Sequence, residues 1–267
     1  MTEGLTEAVT GHVAEAASFV PPTLASETIF YIGSFGVRNT LITSVMTLLL
    51  LTVVALVVRR KKYAMIPGGF QNVVEALIGG MFDFFEGVVG DTNKTKKFFP
   101  IVMTIFLYVM ISNWMGLLPG FASIGLHEVH NGHEVFVPIF RATFSDVNMT
   151  FALAGISVIA SQIFGFSMLG LKGYGGKFFV NPLKDPIGCF VGLLEIVSEF
   201  AKMVSFTFRL FGNIFAGEVL LLVMTFLVPY VIPMPFYALE IFVGFIQALV
   251  FAFLTIIFFK IATTPHH

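Results

Sequence analysis

Arg209 stands within residues 187–228, a stretch too long and too apolar to be soluble. A guanidinium keeps its charge at every accessible pH, and holding it at bilayer depth costs several kcal/mol even on lenient insertion scales. Such an arginine marks an ion path, a voltage sensor or a paired counter-charge. At about 100° per residue, Glu195, Ser198, Lys202, Ser205 and Asn213 all fall within about 40° of Arg209, giving one polar stripe along a greasy helix. Glu218 follows on the opposite face, about 13–14 Å further along the axis. In the last apolar run, Glu240 and Gln247 share a face. No acid occupies position 205 or 212, where a carboxylate meant only to neutralise Arg209 would belong. An arginine left without an internal carboxylate can meet one carried by another subunit. Glu218 and Glu240 then read as stations on a proton path, because intramembrane acids are the usual carriers of protons.

The elements that hold these groups must be membrane helices. Of 267 residues, 57% are hydrophobic and 12% charged, where a soluble domain carries about a quarter charged. No basic patch exists outside short loops, so there is no footprint for nucleic acid. The single Cys189 excludes an internal disulfide and a multi-cysteine metal site, and reads as a packing residue. His127, Glu128, His130, His133 and Glu134 match no zinc spacing, and Asn131-Gly132 reads as a turn, so no metal is expected. Gly173-Tyr174-Gly175-Gly176 lacks a phosphate-binding lysine pattern and reads as a flexible cytoplasmic loop; no cofactor is expected.

Apolar runs predict spans at about 41–58, 101–118 and 147–171, a long helix at 187–228 and a final helix at 236–262. Residues 1–40 form a tail, with Glu3, Glu7 and Glu15 where a signal peptide would be basic, and 263–267 a second tail. Residues 187–228 are about twice the length of one perpendicular span, so they form either two spans with a tight break or one strongly tilted helix. Pro229, Pro233 and Pro235 turn the chain into the final helix, completing a helical hairpin. Residues 70–89 place Phe70, Val73, Val74, Leu77, Met81, Phe84, Phe85 and Val88 at helical spacing opposite Glu75, Asp83 and Glu86. An acidic polar face suits partner protein better than a lipid surface. Seven basic residues (Arg59, Arg60, Lys61, Lys62, Lys94, Lys96 and Lys97) lie between the first two spans, and Lys172, Lys177 and Lys184 follow the third. By the positive-inside rule, residues 59–97 and 172–186 are cytoplasmic and the N-terminal tail and 119–146 lie outside. The fold class is thus an all-α integral membrane protein of about five embedded helices in a single membrane domain, 41–262, plus one cytoplasmic amphipathic helix.

The segment Ser205-Phe206-Thr207-Phe208-Arg209-Leu210-Phe211-Gly212-Asn213-Ile214-Phe215-Ala216-Gly217-Glu218 closely resembles the signature of subunit a of rotary F-type ATP synthases. Gly244-Phe245-Ile246-Gln247-Ala248-Leu249-Val250-Phe251 and Ser145-Asp146-Val147-Asn148-Met149-Thr150 resemble that family too. The resemblance implies a non-catalytic stator channel in a bacterial cell membrane, beside a ring of c subunits and a peripheral stalk of b subunits. Arg209 would face the ring carboxylates, with Gln247 as its partner. Asn213, Glu218 and Glu240 would serve the access half-channels, and Asp146 and Asn148 would line the outer mouth. Glu195 and Ser198, with Ser205 above them on the stripe, would sit toward the cytoplasmic exit. In some relatives histidine stands at the Glu240 position, so here two acids would share one vestibule.

Three rivals make different demands. A self-contained secondary transporter or channel needs paired halves with broken helices, yet the polar groups here crowd the C-terminal third. A voltage sensor needs arginines repeated every third residue, and a purely structural anchor leaves the acids without a task.

Overall fold

The computed structural model describes residues 26–60, 68–118, 120–130, 133–178, 186–228 and 231–264. Among the described residues six helices carry the architecture: α1 (Asn39–Arg60), α2 (Phe70–Val89), α3 (Thr92–Gly116), α4 (Val147–Phe178), α5 (Pro186–Leu227) and α6 (Pro233–Ala262). Five of them, all but α2, are long and apolar enough to cross a membrane. The chain is an all-α, multi-pass membrane protein.

Two small antiparallel hairpins decorate one end, and sequence periodicity had shown neither. β1 (Thr28–Ile32) pairs with β2 (Phe35–Arg38) inside the expected N-terminal tail. β3 (Gly125–His130) pairs with β4 (His133–Pro138) in the loop before α4. The expected turn at Asn131-Gly132 lies outside the described residues, as do Lys61, Lys62 and Lys184.

α3 begins at Thr92, well before the expected start near 101. Gly90 caps α2 in the left-handed conformation (φ 76°), donating its N–H to the Glu86 carbonyl at 2.8 Å. Asp91 then caps α3, accepting the N–H of Asn93 at 2.8 Å and of Lys94 at 3.3 Å. The two helices share one tight corner, and Lys94, Lys96 and Lys97 ride on the first turns of α3 rather than in a loop.

Between membrane helices the hydrophobic effect is nearly absent, so packing, aromatic geometry and interhelical hydrogen bonds must hold them. The phenylalanines do much of this. Phe98, Phe164 and Phe259 join α3, α4 and α6 with ring centroids 4.9–5.5 Å apart, and Phe206 of α5 meets Phe251 and Phe258 of α6 at 4.6 and 5.0 Å. Polar stitches cross the same seams. Ser157 of α4 bonds Thr255 of α6 at 2.8 Å, and Asn113 of α3 donates to the Gly244 carbonyl of α6 at 3.1 Å. α2 packs only its second half, through Phe85 and Val89, onto α3 and α6. Its first half leaves Val73, Leu77 and Ile78 exposed.

α1 is attached differently. Its buried residues are all polar (Asn39, Thr40, Thr43, Ser44 and Thr47) and all lie in its first half. Asn39 reaches the Pro138 carbonyl, Ser44 bonds Tyr108 and Thr47 meets Met115 of α3. Thr40 donates to Asp146, which also accepts hydrogen bonds from Ser26, the Asn148 backbone and side-chain nitrogens, and Arg38 at 3.3 Å. Burial pushes the Asp146 carboxyl up, but these donors and the Arg38 charge outweigh it and hold the group below the usual carboxylate range. Its contribution is therefore full above the unfolded carboxyl value of about 4 and is lost as pH falls through the lower folded value. Asp146→Ala is expected to destabilise the detergent-solubilised chain by about 2–3 kcal/mol, seen as a lowered thermal midpoint at pH 7. The deficit should shrink as pH is taken below about 4.

Candidate functional site

Residues 186–227 contain no break. α5 is one continuous helix of 42 residues, roughly 63 Å long at about 1.5 Å per residue. A hydrocarbon core of about 30 Å accommodates it only if it lies far from the membrane normal. The choice between two spans and one tilted helix falls to the second, because no proline interrupts the run and Gly192 and Gly212 alone do not stop a helix.

One face of α5 packs on α4 and α6 through Phe206, Thr207, Leu210, Phe211, Ile214, Gly217 and Leu221. Ala201, Ser205, Phe208, Arg209, Gly212 and Ala216 lie on the other side and are exposed. Arg209 makes no ion pair and no side-chain hydrogen bond with any described residue. A β-carbon added at Gly212 would meet nothing within 4 Å. A permanent cation thus stands on a smooth, small-residue surface of its own chain.

The polar stripe divides in three dimensions. Ser198 and Ser205 share the exposed side with Arg209, while Glu195, Lys202 and Asn213 are half-buried. Asn213 donates to the Gln247 side-chain oxygen at 3.5 Å, one helical turn from Arg209. The Gln247 nitrogen is buried with no hydrogen-bond partner, and no hydrogen bond joins it to Arg209.

At the end of the molecule bearing the hairpins, a cavity of about 440 Å³ opens between α3, α5 and α6. Asn113, Arg141, Glu218, Tyr237 and Glu240 supply its polar wall. Glu218 is held by Arg141, with Nε to Oε1 at 2.9 Å and Nη2 to Oε2 at 3.4 Å. Sequence analysis does not single out Arg141, because an ion pair between positions 77 residues apart leaves no local signal. Glu240 presses its carboxyl against Gly217, where no β-carbon intervenes, and makes no ion pair or hydrogen bond with a described residue. Glu218 and Glu240 both line this cavity. Asp146 and Asn148 are not among the residues lining this cavity: Asp146 accepts from Ser26, Arg38 and Thr40 and from the Asn148 side chain.

The opposite end carries a second polar group. Gly170 breaks α4 with φ 73°, and the segment beyond it folds back. Tyr174 is buried there against Gly165 and Phe166 and donates to Gln162 at 2.7 Å. Burial, then the charges of Glu199 and Glu195, push its hydroxyl up to about 12. Residues 173–176 are therefore helical and pinned by a buried aromatic ring, not the loop their glycines predicted. Glu199 pairs with Lys202 at 2.7 Å beside this tyrosine, and Lys202 also lies over the Phe258 ring.

Comparison with known proteins covers these same elements. The sequence profile of the family described as "ATP synthase A chain" matches residues 40–260. Among similar curated proteins is the ATP synthase subunit a of Desulfotalea psychrophila, 36% identical over 203 residues, which are 76% of this chain and 75% of that one. The ATP synthase subunit a of Campylobacter jejuni subsp. doylei is 31% identical over 219 residues, or 80% and 85% of the two chains. That of Moorella thermoacetica is 30% identical over 229 residues, or 85% and 92%. A match that runs from the first helix to the last, through the unpaired arginine and the two-acid vestibule, establishes that this chain belongs to the ATP synthase A chain family, as a membrane-sector subunit of an ATP synthase.

Proposed function

We propose that the chain is the stator channel of a rotary ATP synthase, forming two offset half-channels that carry protons to and from the carboxylates of a c-subunit ring. The observation that carries this reading is Arg209, exposed on a long membrane helix among small residues and bonded to no acid among the described residues. A ring carboxyl crossing lipid must be protonated, because the charged form is too costly there. Opposite Arg209 the carboxylate is favoured, so the proton leaves. The same fixed charge repels protons and blocks a direct leak between the half-channels, a task a lysine would perform less well because it can lose its proton when buried. Each elementary charge crossing 100 mV yields about 2.3 kcal/mol, which the offset paths turn into rotation.

The cavity holding Glu218 and Glu240 is the outer half-channel in this reading, and Asn213 with Gln247 sits between it and Arg209. Glu195, Ser198 and Ser205 serve the inner exit. The N-terminus faces outward and residues 59–97 face the cytoplasm of a bacterial cell membrane. The exposed first half of α2 is the face assigned to the peripheral-stalk b subunits. The chain carries no catalytic site; it moves ions.

Crosslinking tests the assignment in the intact complex, in a Cys189→Ser background. Cysteines introduced at Ser205, Gly212 and Ala216 are expected to crosslink to the ring helices, and cysteines at the buried positions Leu210 and Ile214 are not. Absence of crosslinks from the exposed face, or voltage-driven proton flux through the chain alone in lipid vesicles, would overturn it in favour of a self-contained transporter.

A further inference from the structure

The outer vestibule contains two glutamates of identical chemistry in different settings. Glu218 has both carboxylate oxygens engaged by one guanidinium, and the Arg141 side chain that supplies it is only 7% exposed. Glu240 is deeper, at 8% exposed against 29% for the Glu218 side chain, yet no cation and no hydrogen-bond donor among the described residues reaches it. The other titratable group on the wall is Tyr237 of α6; α3 contributes Asn113, which does not titrate. A bidentate guanidinium pair is both strong and directional, and it fixes the position of the carboxylate it grips. Arg141 precedes α4, in the segment after β4, so the pair also ties that segment to the wall formed by α5.

We infer that Arg141 is a positioning residue of the ion path: it holds Glu218 as a fixed carboxylate on the vestibule wall, which leaves Glu240 as the acid that exchanges protons with the vestibule. This rests on the stator-channel reading above and divides the labour inside it. A proton from vestibule water joins the Glu240 carboxylate, passes on toward a ring carboxylate, and Glu240 is reloaded from water. Glu218 keeps its charge throughout and sets the potential along the wall. Arg141→Lys would keep the charge but not the two-point grip.

The test is ATP-driven proton pumping by the complete ATP synthase in inverted membrane vesicles, normalised to membrane-bound ATPase activity. Arg141→Gln is expected to lower pumping about tenfold and displace its pH profile, because Glu218 becomes an unpaired charge. The double variant Arg141→Gln/Glu218→Gln should recover most of the loss and restore the profile, since neither charge is then orphaned. Glu218→Gln alone should cost about threefold, and Glu240→Gln about a hundredfold in either background. A purely structural clamp would move assembly but not the pH profile. The inference is overturned if the double variant pumps no better than Arg141→Gln, if the profile stays in place, or if Glu218→Gln loses as much as Glu240→Gln. Should Arg141→Gln fail to assemble, the contrast between Glu218→Gln and Glu240→Gln still decides. Arg209→Ala serves as the control for the parent reading: retained pumping there sinks the stator channel itself, whereas its loss beside a flat Arg141 series sinks only the division of labour.

Discussion

Arg209→Ala is expected to reduce coupled proton transport by at least about a hundredfold, the scale on which removal of one preorganised charge from a water-poor site is felt. Assembly should survive, because Arg209 bonds to no partner among the described residues and its face of α5 is exposed. Passive proton leak should rise in the same vesicles, since the positive barrier between the two half-channels has gone. Arg209→Lys should fall between the two, keeping a charge that can be lost on burial. The measurement is ATP-driven acidification of inverted vesicles together with leak after imposed acidification. Pumping that persists in the alanine variant would remove the arginine from the centre of the mechanism.

Gly217→Val carries the second large effect. The Glu240 carboxyl occupies the space that a side chain at 217 would need, so the substitution must move the acid or push α5 and α6 apart. Overpacking of this kind costs about 1–3 kcal/mol, and here the displaced group is the one assigned to proton exchange. Pumping is expected to fall at least about tenfold, and Glu240→Asp, which draws the carboxyl back by one methylene, should restore part of it. Gly212→Val is the informative contrast. Nothing of this chain lies within 4 Å of a β-carbon there, so its fold should tolerate the change. Any loss of pumping in that variant reports on what slides past the outside of α5. If Gly217→Val and Gly212→Val behave alike, steric displacement of Glu240 is not the cause.

The spans were legible because bilayer thickness imposes a length and an apolar composition that few soluble segments share. The unbroken course of α5 followed from what it lacks, a proline. The helix of the second apolar run starts earlier than the run itself, at Thr92, because Asp91 caps it and Lys94, Lys96 and Lys97 ride on its first turns. Tyr174 was hidden by its neighbours: glycines predict mobility, but the ring between them fills a groove at Gly165 on the same helix. In the site, Arg209 announced itself through the cost of its charge. Its surroundings did not. Helical counting puts Glu240 and Gln247 on one face, yet which acid has a counter-charge depends on Arg141, and which amide meets Gln247 depends on how two helices cross. Those facts belong to tertiary structure, where no periodicity reports them.

The fastening around Asp146 has a consequence for biogenesis. Ser26 and Asp146 are 120 positions apart, so Ser26, Arg38 and Thr40 emerge from the ribosome long before the acid they bond. Ser44 and Thr47 can meet Tyr108 and Met115 as soon as α3 is made. Translation order therefore becomes docking order: α1 seats on α3 first, and its outer end is fastened only when the start of α4 arrives.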